Sequence, residues 1–252
     1  MRYLIVSDMH GNGDAFRAVL RTVRRKRFDA TLVLGDLVGY GASPDHVVEL
    51  LNDLPGTVHT VRGNHDKVAA GIDDGASFNA AALAAARWTM ERMTASNLKL
   101  VRELPEGPLV IEDGDPPKLA ICHGSPADED TYLFAEQEAW SGFQAAPGAH
   151  VTFFGHTHLP SVFIQHRGGV RAVLLRGNRG RLRLHPGLRY LINPGSVGQP
   201  RDRNPLASFM MFDSESQVVS WKRVRYPIRR AQRRIEKAGL PKSLAERLSY
   251  GM

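Results

Sequence analysis

Residues 1–36 read MRYLIVSDMHGNGDAFRAVLRTVRRKRFDATLVLGD. An apolar run of strand length (2–6, RYLIV) leads directly to Asp8 and His10. A segment over 14–26 follows, with Phe16, Val19, Leu20 and Val23 at helical spacing, and then a second apolar run (30–34, ATLVL) that ends at Gly35 and Asp36. Strand, helix and strand in this rhythm predict parallel strands joined by a crossover helix. The pattern continues with a helix over 44–51 and a third strand over 57–61, which runs into Arg62, Gly63, Asn64, His65 and Asp66. In such sheets the chemistry collects just beyond the strand C-termini.

Farther along, 78–104 is Ala-rich and then amphipathic, and reads as two helices broken near 95–96. The second half changes character, with strand-like segments at 109–112, 118–122, 151–154, 161–165, 170–176, 181–184, 189–192, 206–212 and 218–225. Gly and Pro separate several of them, at 114–117, 167–169, 177–180 and 186–187. Helical segments over 228–238 and 242–248 close the sequence. A parallel-rich sheet followed by an antiparallel-rich one suggests a layered α/β sandwich, with no linker of disordered composition and no internal repeat.

Composition narrows the class. With 42% hydrophobic and 23% charged residues among 252, the chain is near the globular average, which excludes disordered, collagenous and disulfide-rich types. No apolar run reaches the roughly 18 residues of a membrane span, and the apolar stretch at 3–6 is too short for a signal peptide. The single cysteine, Cys122, cannot form an internal disulfide, so a reducing, cytoplasmic location is expected. The net charge of +7 comes mostly from 21–27 and 222–234. Such a field suits phosphate-bearing ligands or nucleic acid, but both runs equally fit the solvated face of a helix or an edge strand.

The residues at the strand ends carry the chemistry. Together with His123 (CHGSP) and Gly155-His156-Thr157-His158, they supply three carboxylates, one carboxamide and five imidazoles, half of the ten histidines. Mixed Asp, His and Asn ligation suits divalent Mn, Fe, Zn, Co or Ni rather than a closed cysteine site. Asp8/His10 and His156/His158, each two apart, project to one side of an extended segment and can reach one metal cluster.

This ordered series of D-x-H, G-D, G-N-H-D, H and G-H-x-H resembles the signature of the calcineurin-like metallophosphoesterases. The loop 193–202 (NPGSVGQPRD) is similar to the one that closes the site in compact bacterial, phosphodiesterase-type members. The resemblance implies an α/β/β/α sandwich of two mixed sheets flanked by helices, as one domain over 1–252, with a helical insertion at about 77–104 and a helical tail at about 227–250. It also implies a dinuclear metal centre. Asp8, His10 and His158 would hold the first metal; Asn64, His123 and His156 the second; Asp36 would bridge both. His65, oriented by Asp66, would stand beside the phosphorus while a metal-bridging hydroxide attacks.

One departure bears on substrate. Protein Ser/Thr phosphatases and dinucleoside tetraphosphatases of this family carry G-D-x-V-D-R-G, whose Arg clamps phosphate. Here 35–41 reads GDLVGYG, with Tyr40 in that place. A monoanionic diester needs less neutralisation than a dianionic monoester, so phosphodiester hydrolysis is expected. Arg62 and Arg201 are candidates to restore a clamp. Nuclease or dinucleotide pyrophosphatase activity is the enzymatic alternative, with nucleotide or nucleic-acid substrates. A non-catalytic module on this fold would have lost ligands, whereas every ligand position here is filled. A homo-oligomer built through the basic tail is also open.

Other residues read more plainly. The 11–16 segment GNGDAF mimics a dinucleotide-binding turn, but Phe16 replaces the third glycine and Asp8 and His10 bring acidity and bulk. Asn12 has two candidate roles, substrate or metal-site assistance and helix capping. Cys122, adjacent to His123 in an extended strand, faces the core. Ser196 fits turn chemistry near the site. Trp88, Met90 and Met93 fit core packing or one wall of a cleft.

Overall fold

The computed structural model describes residues 1–112 and 118–252; the Gly/Pro boundary expected at 114–117 lies outside them. Strands β1 (Arg2–Val6), β2 (Ala30–Val33) and β3 (Thr57–Thr60) pair in parallel through helices α1 (Gly13–Val23) and α2 (Pro44–Asn52), as the first 61 residues predict. Next come α3 (Asn64–Ala69), α4 (Ala80–Arg92), α5 (Ala95–Arg102), β4 (Leu109–Ile111), β5 (Lys118–Ile121) and α6 (Glu136–Ala145). The strands β6 (Ala149–Phe153), β7 (Ser161–His166), β8 (Gly169–Leu174), β9 (Arg179–Arg183), β10 (Arg189–Asn193), β11 (Ala207–Asp213) and β12 (Val218–Val224) follow. Helices α7 (Ile228–Lys237) and α8 (Lys242–Tyr250) complete the order.

Two six-stranded sheets result, ordered β3-β2-β1-β11-β12-β9 and β4-β5-β6-β10-β7-β8. Each is mixed. Strand β11 returns from the second half to pair antiparallel with β1, while β5, β6 and β10 run parallel. The division into a parallel-rich and then an antiparallel-rich sheet, suggested by pattern alone, is therefore corrected. Sequence order does not reveal that a C-terminal strand completes the N-terminal sheet.

Strand β1 shows why RYLIV is apolar throughout. Tyr3 and Ile5 enter the core between the sheets, while Leu4 and Val6 pack beneath the helices, so both faces are covered. A third cluster around Cys122, Phe143 and Phe163 lies between the second sheet and α6. Neither α3 nor α6 is foreseen from the sequence: α3 spans six residues, and α6 buries only Ala139, Gly142 and Phe143. The helix break expected near 95–96 falls at Met93–Thr94, because Thr94 caps α5 and is held by Asp45. Helix α7 docks on α1 through Arg230 and Arg234, both bound to Asp14 in its first turn. The basic run 222–234 is thus only partly solvated, and Arg223 is buried against Asp202. Among the described residues no helix is long and apolar enough to cross a membrane.

Candidate metal centre

The strand ends converge on one buried cluster. Asp8, His10, Asp36 and His158 offer ligand atoms within 4.8 Å of one another, as do Asp36, His123 and His156. Asp36 belongs to both sets; its Oδ2 lies 3.4 Å from Nε2 of His10 and 3.4 Å from Nε2 of His123. Asn64 joins the second set, its Oδ1 3.2 Å from His123 Nε2.

The main chain is strained to deliver these groups. Asp8, His10, Asp36, Tyr40, His156 and His158 all take φ between 47° and 65°, in the left-handed region that non-glycine residues rarely enter. Such strain costs about 1–3 kcal/mol per residue and persists where surrounding contacts impose it. Close approach does so here. A Cβ on Gly63 would fall 2.2 Å from Asp36 Oδ1, and one on Gly198 would fall 1.8 Å from the Met9 carbonyl oxygen. Loop 193–202 braces the cluster: Ser196 Oγ donates to the Asp8 carbonyl and accepts from the Gln199 amide, so Ser196 serves both the turn and the site.

The hydrogen bonds fit bound cations. His10 Nδ1 faces the Val38 carbonyl at 3.1 Å and His158 Nδ1 the Gln199 carbonyl at 2.5 Å, contacts that place the ring protons on these nitrogens. Their bare Nε2 atoms then confront each other at 3.1 Å, a repulsive pairing of lone pairs that a shared cation converts to ligation. His123 Nδ1 donates to Leu34 O, so its Nε2 meets only oxygen acceptors. His156 Nε2 is committed to the Asp130 carbonyl, leaving Nδ1 for ligation. Oδ2 of Asp8 is buried, and among the described residues only the Ser7 side chain acts on that carboxylate as a hydrogen-bonding side chain.

Burial pushes Asp8 up to about 7 and holds His10 and His158 well below the usual imidazole value. Burial also opposes ionisation of Asp36, but His123, His10 and His65 outweigh it and keep that carboxyl low. The reciprocal attraction of Asp36 overcomes burial at His123 and raises its imidazole to about 10.

His65 lies at the edge of the cluster, 4.8 Å between ring centroids from His10, with Nδ1 unpartnered. Tyr40 and Phe78 pack on it at 4.3 and 4.4 Å. The segment ahead of α4 therefore contributes Phe78 to the cleft wall. Met93 is core and Trp88 packs against it, while Met90 is exposed.

The structure departs from two expectations and decides between two others. Asp66 makes no hydrogen bond to His65: its carboxylate accepts the amides of Gly63 and Val38, tying two site loops together. Arg62 is no clamp, because Glu129 grips its guanidinium at two positions and Glu106 takes Nη2 at 2.7 Å. Of the two roles open to Asn12 it takes the capping one, its Oδ1 accepting from the Ala15 amide and its amide group donating to Gly198 O. Arg201 does stand at the cleft, its guanidinium 5.9 Å over the Tyr40 ring, and Arg247 of α8 lies 5.6 Å from the same ring. Nothing in the local sequence marks Arg247, which tertiary packing alone brings there. Tyr132, also unforeseen, stacks on His156 with ring centroids 3.7 Å apart.

The comparisons with known proteins agree with this geometry. An uncharacterised protein of Methanocaldococcus jannaschii is 36% identical over 250 residues, covering 98% of this chain and 97% of its own. The phosphodiesterase YfcE of Escherichia coli is 24% identical over 223 residues, 85% of this chain and 89% of its own. The crystal structure of a metallophosphoesterase from Sphaerobacter thermophilus superposes with a TM-score of 0.84 at 37% identity, covering 100% of this chain and 99% of that one. Residues 1–217 match the calcineurin-like phosphoesterase superfamily domain, so the chain belongs to that superfamily and is a metal-dependent phosphoesterase.

Proposed function

We propose that the protein hydrolyses phosphodiesters at a centre of two divalent cations, drawn from Mn, Fe, Zn, Ni and Co. Asp8, His10 and His158 would hold one cation; Asn64, His123 and His156 the other; Asp36 would serve both. The single observation that carries this reading is the position of Asp36 Oδ2, equidistant at 3.4 Å from a histidine of each set. When bound, such cations polarise phosphoryl oxygens and lower the pKa of a coordinated water towards ~7.

The chain's own residues do the rest. Asp66 fixes the backbone that carries His65, and Tyr40 and Phe78 hold its ring between them. A protonated His65 would stabilise the charge developing on phosphate or donate to the leaving oxygen. Diester preference is supported by Tyr40 at the clamp position and by the engagement of Arg62 with carboxylates, which leaves Arg201 as the nearer cation for a monoanionic group. The naming of the E. coli relative as a phosphodiesterase points the same way. The lone, buried Cys122 suits a reducing cytoplasm.

The test compares bis-para-nitrophenyl phosphate with para-nitrophenyl phosphate after chelation and add-back of each ion. We expect faster diester cleavage, with a loss of about 10²–10⁴ in kcat for His65→Ala. Faster monoester cleavage would overturn the diester preference, and a fully active His65→Ala would remove that residue's role.

A further inference from the structure

Beside the second ligand set, three rings form a ladder to solvent. The His156 and Tyr132 rings are 19° from parallel, and Phe134 stacks on Tyr132 with centroids 5.3 Å apart and planes 6° apart. Exposure rises outward, from 3% at His156 to 40% at Tyr132 and 60% at Phe134. Tyr132 and Phe134 are two apart in a stretch outside helices and strands, and their stacking sets both rings on one side.

Isolated exposed aromatics are ordinary on a protein surface. These two differ in being stacked on each other and on a candidate metal ligand. Their loop is anchored rather than loose: Lys67 binds Glu129 at 3.0 Å and Asp130 at 2.5 Å, and the Asp130 carbonyl receives His156 Nε2. Arg62 adds its grip on Glu129. The outer face is thus offered in a fixed orientation, which lowers the entropy lost when a flat group settles on it. Arg201 donates to the Tyr40 hydroxyl at 3.4 Å and lies over the Tyr40 ring, and its charge also reaches Tyr132. The platform and a cation with no carboxylate partner among the described residues thus border one cleft.

We infer that the Tyr132–Phe134 ladder is a nucleobase platform and that the substrate is a phosphodiester bearing a nucleoside, its base stacked on Phe134 and its phosphate at the cluster around Asp36. This inference rests on the phosphodiesterase reading above. A π-face binds any base, so the platform selects a nucleoside over an alkyl group without distinguishing among bases. A second copy of this chain covering Phe134 is the competing occupant, since Trp140 and Leu174 are also exposed.

The test uses two diesters with one leaving group, thymidine 5′-(para-nitrophenyl phosphate) and methyl para-nitrophenyl phosphate, assayed with the metal-restored protein. We expect kcat/KM to favour the nucleoside ester. Phe134→Ala should cut that preference roughly tenfold, the scale of base–aromatic stacking, and Phe134→Trp should restore it. Tyr132 is left in place because it supports His156. A wild-type protein without preference, or a Phe134→Ala variant that keeps it, overturns the platform while leaving the phosphodiesterase reading intact. A shift of Phe134→Ala from dimer to monomer by light scattering, with the preference unchanged, assigns the rings to self-association and likewise overturns it. Failure to cleave either ester with any divalent ion removes the phosphodiesterase reading and this inference with it.

Discussion

At Asp36 a single carboxylate meets two ligand sets, and its Oδ1 also accepts the His65 amide at 2.9 Å. One side chain therefore links both candidate ligand sets to the backbone of His65. The residues that cluster were legible in the sequence because metal chemistry is written in side-chain identity: Asp8, His10, Asp36, Asn64, His123, His156 and His158 each follow a strand-like run. Partnerships were not legible. Arg62 reads as a cationic neighbour of G-N-H-D, and only folding brings Glu129 and Glu106 onto it. The cap that Asn12 makes on α1 was open to sequence reading, but its bond to Gly198 O and the bond from Val38 N to Asp66 join loops that sequence cannot bring together. Arg201 has no carboxylate on it among the described residues; its Nη2 donates to the Tyr40 hydroxyl at 3.4 Å and to Gln199 Oε1 at 3.3 Å. For Arg201→Ala we expect kcat/KM on the diester to fall about tenfold or more, with bound metal unchanged; steady-state kinetics beside metal analysis checks this.

Among elements, the strands of the β1-α1-β2 unit are legible because both their faces are covered and their apolar runs are uninterrupted, while α1 ends at Val23, short of the expected residue 26. The short α3 escaped notice since six residues give no periodicity, yet it carries Asn64, His65 and Asp66 at its start. What holds α3 against the 129–130 loop is a charge cluster of Glu129 with Arg62 and Lys67. Burial raises the Glu129 pKa, but hydrogen bonds and charge from Arg62 and Lys67 outweigh it and leave the carboxyl below its ordinary value. A depressed carboxyl contributes stability above its unfolded pKa of about 4.3 and loses it as pH falls through the folded value. Glu129→Gln should therefore destabilise by about 1–3 kcal/mol at pH 7, with the difference from wild type closing below about pH 4. Urea unfolding at several pH values measures this directly.

At the scale of the molecule, the sandwich brings together residues as far apart as Asp8 and His158, whose Oδ1 and Nε2 meet at 3.4 Å. The overall layering was legible, but the sharing of strands between sheets was not, because β11 pairs with β1 across some two hundred residues. Since the ligand sets exist only when both sheets are assembled, metal binding is coupled to folding. Each ion at a hundredfold excess over its Kd adds about 2.7 kcal/mol. Chelation should then lower Tm by roughly 5 °C or more for a chain of this size. An unchanged Tm in calorimetry with and without chelator would argue against resident ions.

The most direct measurement counts ions and turnover together: elemental analysis of wild type and Asp36→Asn after dialysis against Mn or Zn, with diester hydrolysis followed on the same samples. The account predicts two ions per wild-type chain with activity, and fewer than two with hydrolysis abolished when Asp36 loses its charge. An Asp36→Asn protein that keeps two ions and full turnover, or a wild type that cleaves diesters with no divalent ion bound, would contradict it.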